Sequence, residues 1–158
     1  MSPDVLWAPS ARAVVLEEAL ASADGRETGG ILLGHGPDHS GRIRITEAGR
    51  PGPLAVRRED YFLRDLEHAR ALAAAAWARE RALWIGEWHT HPHGDPRPSS
   101  RDLETYAHLL AAGELEFGVV VSAILVADKG SGWESPGIAG WVIRGLAPRH
   151  ISEPTRPH

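Results

Sequence analysis

The chain has 158 residues, 42% of them hydrophobic, with 17 Lys and Arg against 21 Asp and Glu and a formal charge of −4, which suits one domain with a real core and would cramp two. It has no cysteine, so disulfides, thiolate ligands and a cysteine nucleophile are excluded and any metal site must be built from nitrogen and oxygen. Interspersed charges leave no footprint for nucleic acid, no apolar run approaches the roughly 18 residues of a membrane span, and without a basic, then apolar, leader the expected compartment is the cytoplasm.

In chain order, Ser10 to Ala23 predicts a helix with Val14, Val15, Leu16, Ala19 and Leu20 on its apolar face, Ser10 as its cap and Asp24-Gly25 ending it. Gly30 to Gly34 is a short apolar strand, and the strict alternation of Arg42-Ile43-Arg44-Ile45-Thr46 predicts a second, joined through the turn from Gly36 to Gly41. Asp60 to Arg81 predicts a long helix that places Phe62, Leu66, Ala69, Ala73 and Trp77 inward and leaves Arg64, Glu67, Arg70 and Arg79 to water. The apolar run Leu83-Trp84-Ile85 opens the next strand, and Ser99 opens a helix ending near Gly113. Gly118 to Val126 reads as a central strand, and Ile138 to Arg144 completes the sheet. Ala147 to His158, with three prolines, predicts a frayed tail. This order predicts an α/β fold, helices covering a mixed sheet, with one domain over residues 1–146 and a flexible tail over 147–158.

The chemistry concentrates in Trp88-His89-Thr90-His91-Pro92-His93-Gly94-Asp95-Pro96-Arg97-Pro98-Ser99-Ser100-Arg101-Asp102. In a strand, residues two apart point to the same face, so both His89 and His91 can reach one ion. The Gly and Pro residues from Pro92 to Pro98 force a loop, and Asp102 in the first turn of the following helix returns a carboxylate to the histidines. Ser99-x-x-Asp102 is also a capping-box pattern. Separate structural needs do not account for two histidines and a helix-start carboxylate on either side of one tight loop, and together they predict a metal site.

His-x-His, seven residues, Ser, two residues, Asp, as found at His89, His91, Ser99 and Asp102, resembles the signature of the JAMM metalloproteases, the catalytically competent branch of the MPN (JAB) domain. Glu27-Thr28-Gly29-Gly30-Ile31-Leu32-Leu33-Gly34 resembles the family segment in which a glutamate precedes a short apolar strand. The resemblance spans roughly residues 5 to 145 and implies the MPN fold, a curved mixed sheet flanked by helices. It further implies zinc held by His89, His91 and Asp102, Glu27 as general base, Ser99 as oxyanion donor, and cleavage after the C-terminal glycine of a ubiquitin-like protein. Three protein ligands leave a tetrahedral ion one open position, the mark of a catalytic site. The short connections leave little room for the insertions of ubiquitin-specific members, so the chain looks more like the small prokaryotic ones, some of which resemble partners of E1-like and E2-like enzymes.

Two alternatives stay open at this stage. One is a hydrolase that trims an amino acid or adduct from a sulfur-carrier protein with a Gly-Gly tail. The other is a RadC-type protein, whose motif resembles His91 through Ser99 but which carries a helix-hairpin-helix module and a basic face that are missing here. His93 is expected at the rim, since a fourth protein ligand would close the open position. Glu87, on the face of His89, is a candidate acceptor for a histidine N–H. Trp84 and Trp88 are expected to pack, and His35, His39, His68, His108, His150 and His158 to be solvated.

Overall fold

The computed structural model describes residues 4–115, 118–144 and 147–151, the last segment by its backbone alone. The seven-stranded mixed sheet runs β1 (Val5–Trp7), β3 (Ile43–Ala48), β2 (Gly29–His35), β6 (Leu83–Thr90), β7 (Val120–Asp128), β8 (Gly132–Arg144) and β9 (Ala147–Ile151) from edge to edge. β1 pairs with β3 and β6 with β7 in parallel, and the other pairs are antiparallel. Helix α1 (Pro9–Ala21) covers one face, while α2 (Leu66–Glu80) and α3 (Ser100–Ala111) cover the other. A small hairpin, β4 (Val56–Arg57) with β5 (Phe62–Leu63), stands before α2.

Alternation along the strands sorts side chains between two cores. Leu32, Ile43, Ile45, Ile85, Trp88, Val121, Ala123 and Leu125 pack with Ala11, Val15 and Ala19 of α1, whereas Ile31, Leu33, Trp84, Val120 and Ile143 pack with Ala69, Ala76, Tyr106 and Leu109 of α2 and α3. Between β2 and β6 the register shifts at Leu32/Leu33, opposite Gly86 and Trp84. Past that irregularity, Glu87 and His89 point to the face of α2 and α3 while Trp88 is buried against α1. At Gly86 an added Cβ would lie 1.8 Å from the Val121 carbonyl oxygen, so the β6–β7 approach that carries the histidines requires glycine.

Several sequence expectations are corrected. Helix α1 is capped by Ala8 with no side-chain bond, and Pro9 rather than Ser10 sets its start, because proline's fixed φ suits the first helical position. The long helix begins at Leu66, not Asp60: residues 56–63 are drawn into the β4–β5 hairpin, and the Asp65 side chain accepts from His68 N–H at 3.2 Å as the cap. Phe62 therefore lies on a strand, and Leu66 and Trp77 are exposed, the helix burying alanines that allow a close approach to the sheet. Arg64, expected in water, is buried in an ion pair with Glu87. Strand β1 was not foreseen, and Ala147–Ile151 pairs with β8 where a frayed tail is expected. Residues 152–158, with His158, and the 146/147 boundary fall outside the described residues, as does the side chain of His150. Among the described residues no helix is long and apolar enough to cross a membrane.

Candidate metal centre

Strand β6 ends at Thr90, and His91 N–H continues the ladder by donating to the Leu125 carbonyl at 2.9 Å, so His89 and His91 leave the sheet on one side. Helix α3 starts over that end. Ser99 and Asp102 form a capping box in which Asp102 N–H donates to Ser99 Oγ at 3.0 Å and Ser99 N–H donates to Asp102 Oδ2 at 2.8 Å. The structural and the chemical readings of Ser99-x-x-Asp102 thus hold together: the bond that starts the helix also fixes the carboxylate beside the histidines.

The Nε2 atoms of His89 and His91 lie 2.9 Å apart, and Asp102 Oδ2 is 3.1 and 3.2 Å from them. Ligands about 2.0–2.1 Å from a tetrahedral ion stand roughly 3.3 Å from one another, so this triangle would fit a zinc-sized ion after opening by a few tenths of an ångström. The donor set is chemically apt, two imidazoles and a carboxylate. Burial opposes ionisation of Asp102, but hydrogen bonds from His89 and His91, their charge and the Ser99 N–H outweigh it and hold the carboxyl well below the usual range. For His91, burial favours the neutral ring, while Asp102, the Asp95 carbonyl and Glu27 overcome it and raise the pKa.

Glu27 Oε1 lies 3.9 Å from each of the two Nε2 atoms, farther than the ligands are from one another. Glu27 is 3% exposed, and its Oε1 has no hydrogen-bond partner. Burial pushes its pKa up to about 7 against the pull of His89 and His91, with Asp102 and Asp60 adding to the rise. The backbone holds it in place. Glu27 N–H donates to the Arg58 carbonyl at 2.7 Å, and Arg57 Nε donates to the Glu27 carbonyl at 3.1 Å, tying the segment to the hairpin. Thr90, between the two histidines, accepts from Thr28 N–H at 2.9 Å through its hydroxyl and donates its own N–H to the Thr28 carbonyl at 2.8 Å. A carboxylate and two imidazoles from segments 62 positions apart are thereby locked in register.

Glu87 lies on the face of His89 as alternation requires, but its partner differs from the one expected: Arg64 Nε lies 2.5 Å from Oε1, and Arg64 Nη2 donates to Oε2 at 2.7 Å. A cation reaching in from the segment after β5 pairs with the carboxylate in place of a histidine N–H. His93 lines the cleft in front of the site and is absent from the converging ligand atoms, which come from Glu27, His89, His91 and Asp102. That cleft, about 170 Å³, is bounded by Glu27, Glu59, Asp60, His93, Arg97 and Ser99. Sequence reasoning missed Glu59 and Asp60 at the hairpin turn, together with Arg64, Thr90 and the Arg101 guanidinium stacked 4.7 Å from the Tyr61 ring centre. None of these carries a spacing signal, because each depends on a partner distant in the sequence: Thr90 on Thr28 of the neighbouring segment, Arg64 on Glu87, and the others on the hairpin and α3 coming together.

A family model described as prokaryotic homologs of the JAB domain matches residues 10–142. A CD-NTase/cGAS isopeptidase of Enterobacter hormaechei is 31% identical over 127 residues, covering 80% of this chain and 69% of the relative. A protein of the same name from Pseudomonas aeruginosa is 34% identical over 93 residues, and the match spans 58% of each chain. Among solved structures, a protein of Desulfitobacterium hafniense aligns with a TM-score of 0.67 over 98% of this chain and 94% of that one at 16% identity. One from Salinibacter ruber gives 0.59 over 96% and 91% at 22% identity. The structural likeness is one of fold; the family match covers most of the sequence, and the chain belongs to the small prokaryotic branch of the JAB (MPN) domain family.

Proposed function

We propose that the chain is a zinc-dependent isopeptidase that releases a conjugated protein from a lysine side chain. The observation that carries this reading is the convergence of His89 Nε2, His91 Nε2 and Asp102 Oδ2 within 3.2 Å, with the buried, unpaired Glu27 Oε1 3.9 Å from both imidazoles. His89, His91 and Asp102 would hold the ion. When bound, zinc supplies Lewis acidity, lowering the pKa of a water toward about 7 and polarising the carbonyl of the scissile bond.

The chain's own residues do the rest. Glu27 takes the attacking water's proton at Oε1 and passes it to the amine nitrogen as the carbon–nitrogen bond breaks, leaving a carboxyl on one product and an amine on the other. Without the ion, burial raises the Glu27 pKa to about 7, and a bound cation would lower it, which leaves the carboxylate ionised to accept the first proton. Ser99 Oγ accepts from Asp102 N–H and retains its own hydrogen, which it donates to the oxyanion as charge develops there.

The names of the relatives favour a conjugated CD-NTase as the protein released; that E1-like and E2-like enzymes form the conjugate is part of the same proposal. This favours conjugate removal over the trimming of a sulfur carrier; the cytoplasm, expected from the sequence, belongs to the same proposal. A cleft of about 170 Å³ in front of the site agrees with an extended tail poor in side chains, such as one ending in Gly-Gly. The test is mass spectrometry of products from a CD-NTase joined to a lysine, Gly-Gly fusions with extra residues, and a sulfur carrier, with Glu27→Gln as the blank. Cleavage after the tail's last residue, and release of an intact carrier protein, is expected; no cleavage of any substrate by zinc-loaded protein would refute the assignment.

A further inference from the structure

Trp141 on β8 lies directly across from Ser122 on β7, which in turn faces Glu87 on β6. Cross-strand partners share a sheet face, so Trp141 stands on the face that carries His89. Its indole N–H donates to the Pro96 carbonyl at 2.9 Å, a bond that joins positions 45 apart. Pro96 is one peptide bond from Asp95, whose own carbonyl oxygen lies 2.6 Å from His91 Nδ1. A backbone carbonyl can only accept, so His91 carries its hydrogen on Nδ1 and turns Nε2 toward His89 and Asp102.

The loop between His91 and Ser99 has few other restraints. Among the described residues its remaining hydrogen bonds are local: Gly94 N–H to the His91 carbonyl, and Arg97 to the Asp95 side chain. Gly94 has a φ of +85°, a conformation in which glycine meets no steric penalty, and the exposed Asp95–Arg97 pair adds little rigidity. Among the described residues, the bond from Trp141 and the one from His91 Nδ1 to the Asp95 carbonyl are those that fasten this loop to the sheet, and only the first comes from β8.

We propose that Trp141 is a positioning residue for the metal centre: its N–H pins the Asp95–Pro96 segment so that the Asp95 carbonyl stays on His91 Nδ1 and His91 keeps Nε2 toward the ligand triangle. This rests on the reading of His89, His91 and Asp102 as ligands. Partners that orient a ligating histidine commonly change metal affinity by about 10–100-fold. Trp141 acts one residue further out, so the low end is expected.

The experiment uses the full chain with Trp141→Phe, and with the Trp141 indole replaced by benzothiophene, which keeps the ring shape and removes only the N–H. Zinc affinity is measured by competition with a chromogenic chelator. The His91 tautomer is read from its ring ¹⁵N shifts in metal-free protein at alkaline pH. About tenfold weaker zinc binding is expected in both variants, together with a change from the Nδ1–H form to a tautomer mixture, while Trp133→Phe on the same strand leaves both readouts unchanged. A benzothiophene variant with wild-type zinc affinity and a single His91 tautomer would overturn the proposal. If wild-type protein binds no zinc, the ligand reading fails, and the tautomer comparison in metal-free protein still decides the role of Trp141.

Discussion

Glu27→Gln separates proton transfer from metal binding and also reports on the buried carboxylate itself. Burial moves the Glu27 pKa from 4.5 to about 7 even though His89 and His91 pull it down; a displacement of that size corresponds to about 3 kcal/mol. Between these two pH values the native state keeps a proton that the unfolded chain has lost. The metal-free protein therefore loses stability as pH rises through that window, and the loss is complete above pH 7. Glutamine cannot ionise, so the variant should match wild type near pH 4.5 and exceed it above pH 7 by up to about 3 kcal/mol. For a chain of this length that is roughly 6–12 °C in Tm. Thermal melts in chelator at closely spaced pH values measure the difference. A gap that does not vary between pH 5 and 8 would refute the account of Glu27 as a buried, unpaired acid. With zinc restored, the same variant should keep its metal and lose about 10²–10⁴ in turnover.

Other expectations follow from the same geometry. His89→Ala should abolish zinc occupancy, read by metal analysis of folded protein, because each ligand is one of three. Ser99→Ala should keep zinc, lose about 1 kcal/mol of stability with the helix cap and slow turnover about 100-fold; unchanged turnover would reduce Ser99 to a capping role. Arg64→Met should destabilise the chain by about 3–5 kcal/mol by leaving Glu87 charged and unpaired in the interior, and Arg64→Met with Glu87→Met should recover most of that loss.

What was legible in the sequence is what chemistry forces to be local. Two side chains meeting on one face of a strand need period two, a loop needs Gly and Pro, and a helix start needs a cap, so the convergence of His89, His91, Ser99 and Asp102 could be read in line. Central strands announced themselves through apolar runs such as that around Val121 to Leu125, buried on both faces. The failures have physical causes. β1 is three residues long and is a strand through its pairing with the distant β3, while β4–β5 and β8–β9 are local hairpins whose strands are too short, or too rich in proline and polar residues, to show a strand pattern. Arg64 read as a water-facing helix residue because the carboxylate that draws it inward is 23 positions away. Glu87 was assigned to the right face and the wrong partner for the same reason.

The proposed ligand and the helix cap share an atom, and that has consequences for how the site would work. Asp102 Oδ2 accepts from Ser99 N–H while lying 3.1 and 3.2 Å from the two imidazoles, so forming α3 orders the carboxylate before any ion arrives. The start of a helix also favours negative charge through its unpaired N–H groups and dipole, which helps keep Asp102 ionised although it is largely withdrawn from water. Glu27 has no such support: its Oε1 lacks a partner, and its pKa rises instead. Two carboxylates in one cleft are thus driven apart in proton affinity by their surroundings. Asp102 is kept as an anion suited to holding a cation, and in the metal-free site Glu27 is left able to take up and release a proton near neutral pH.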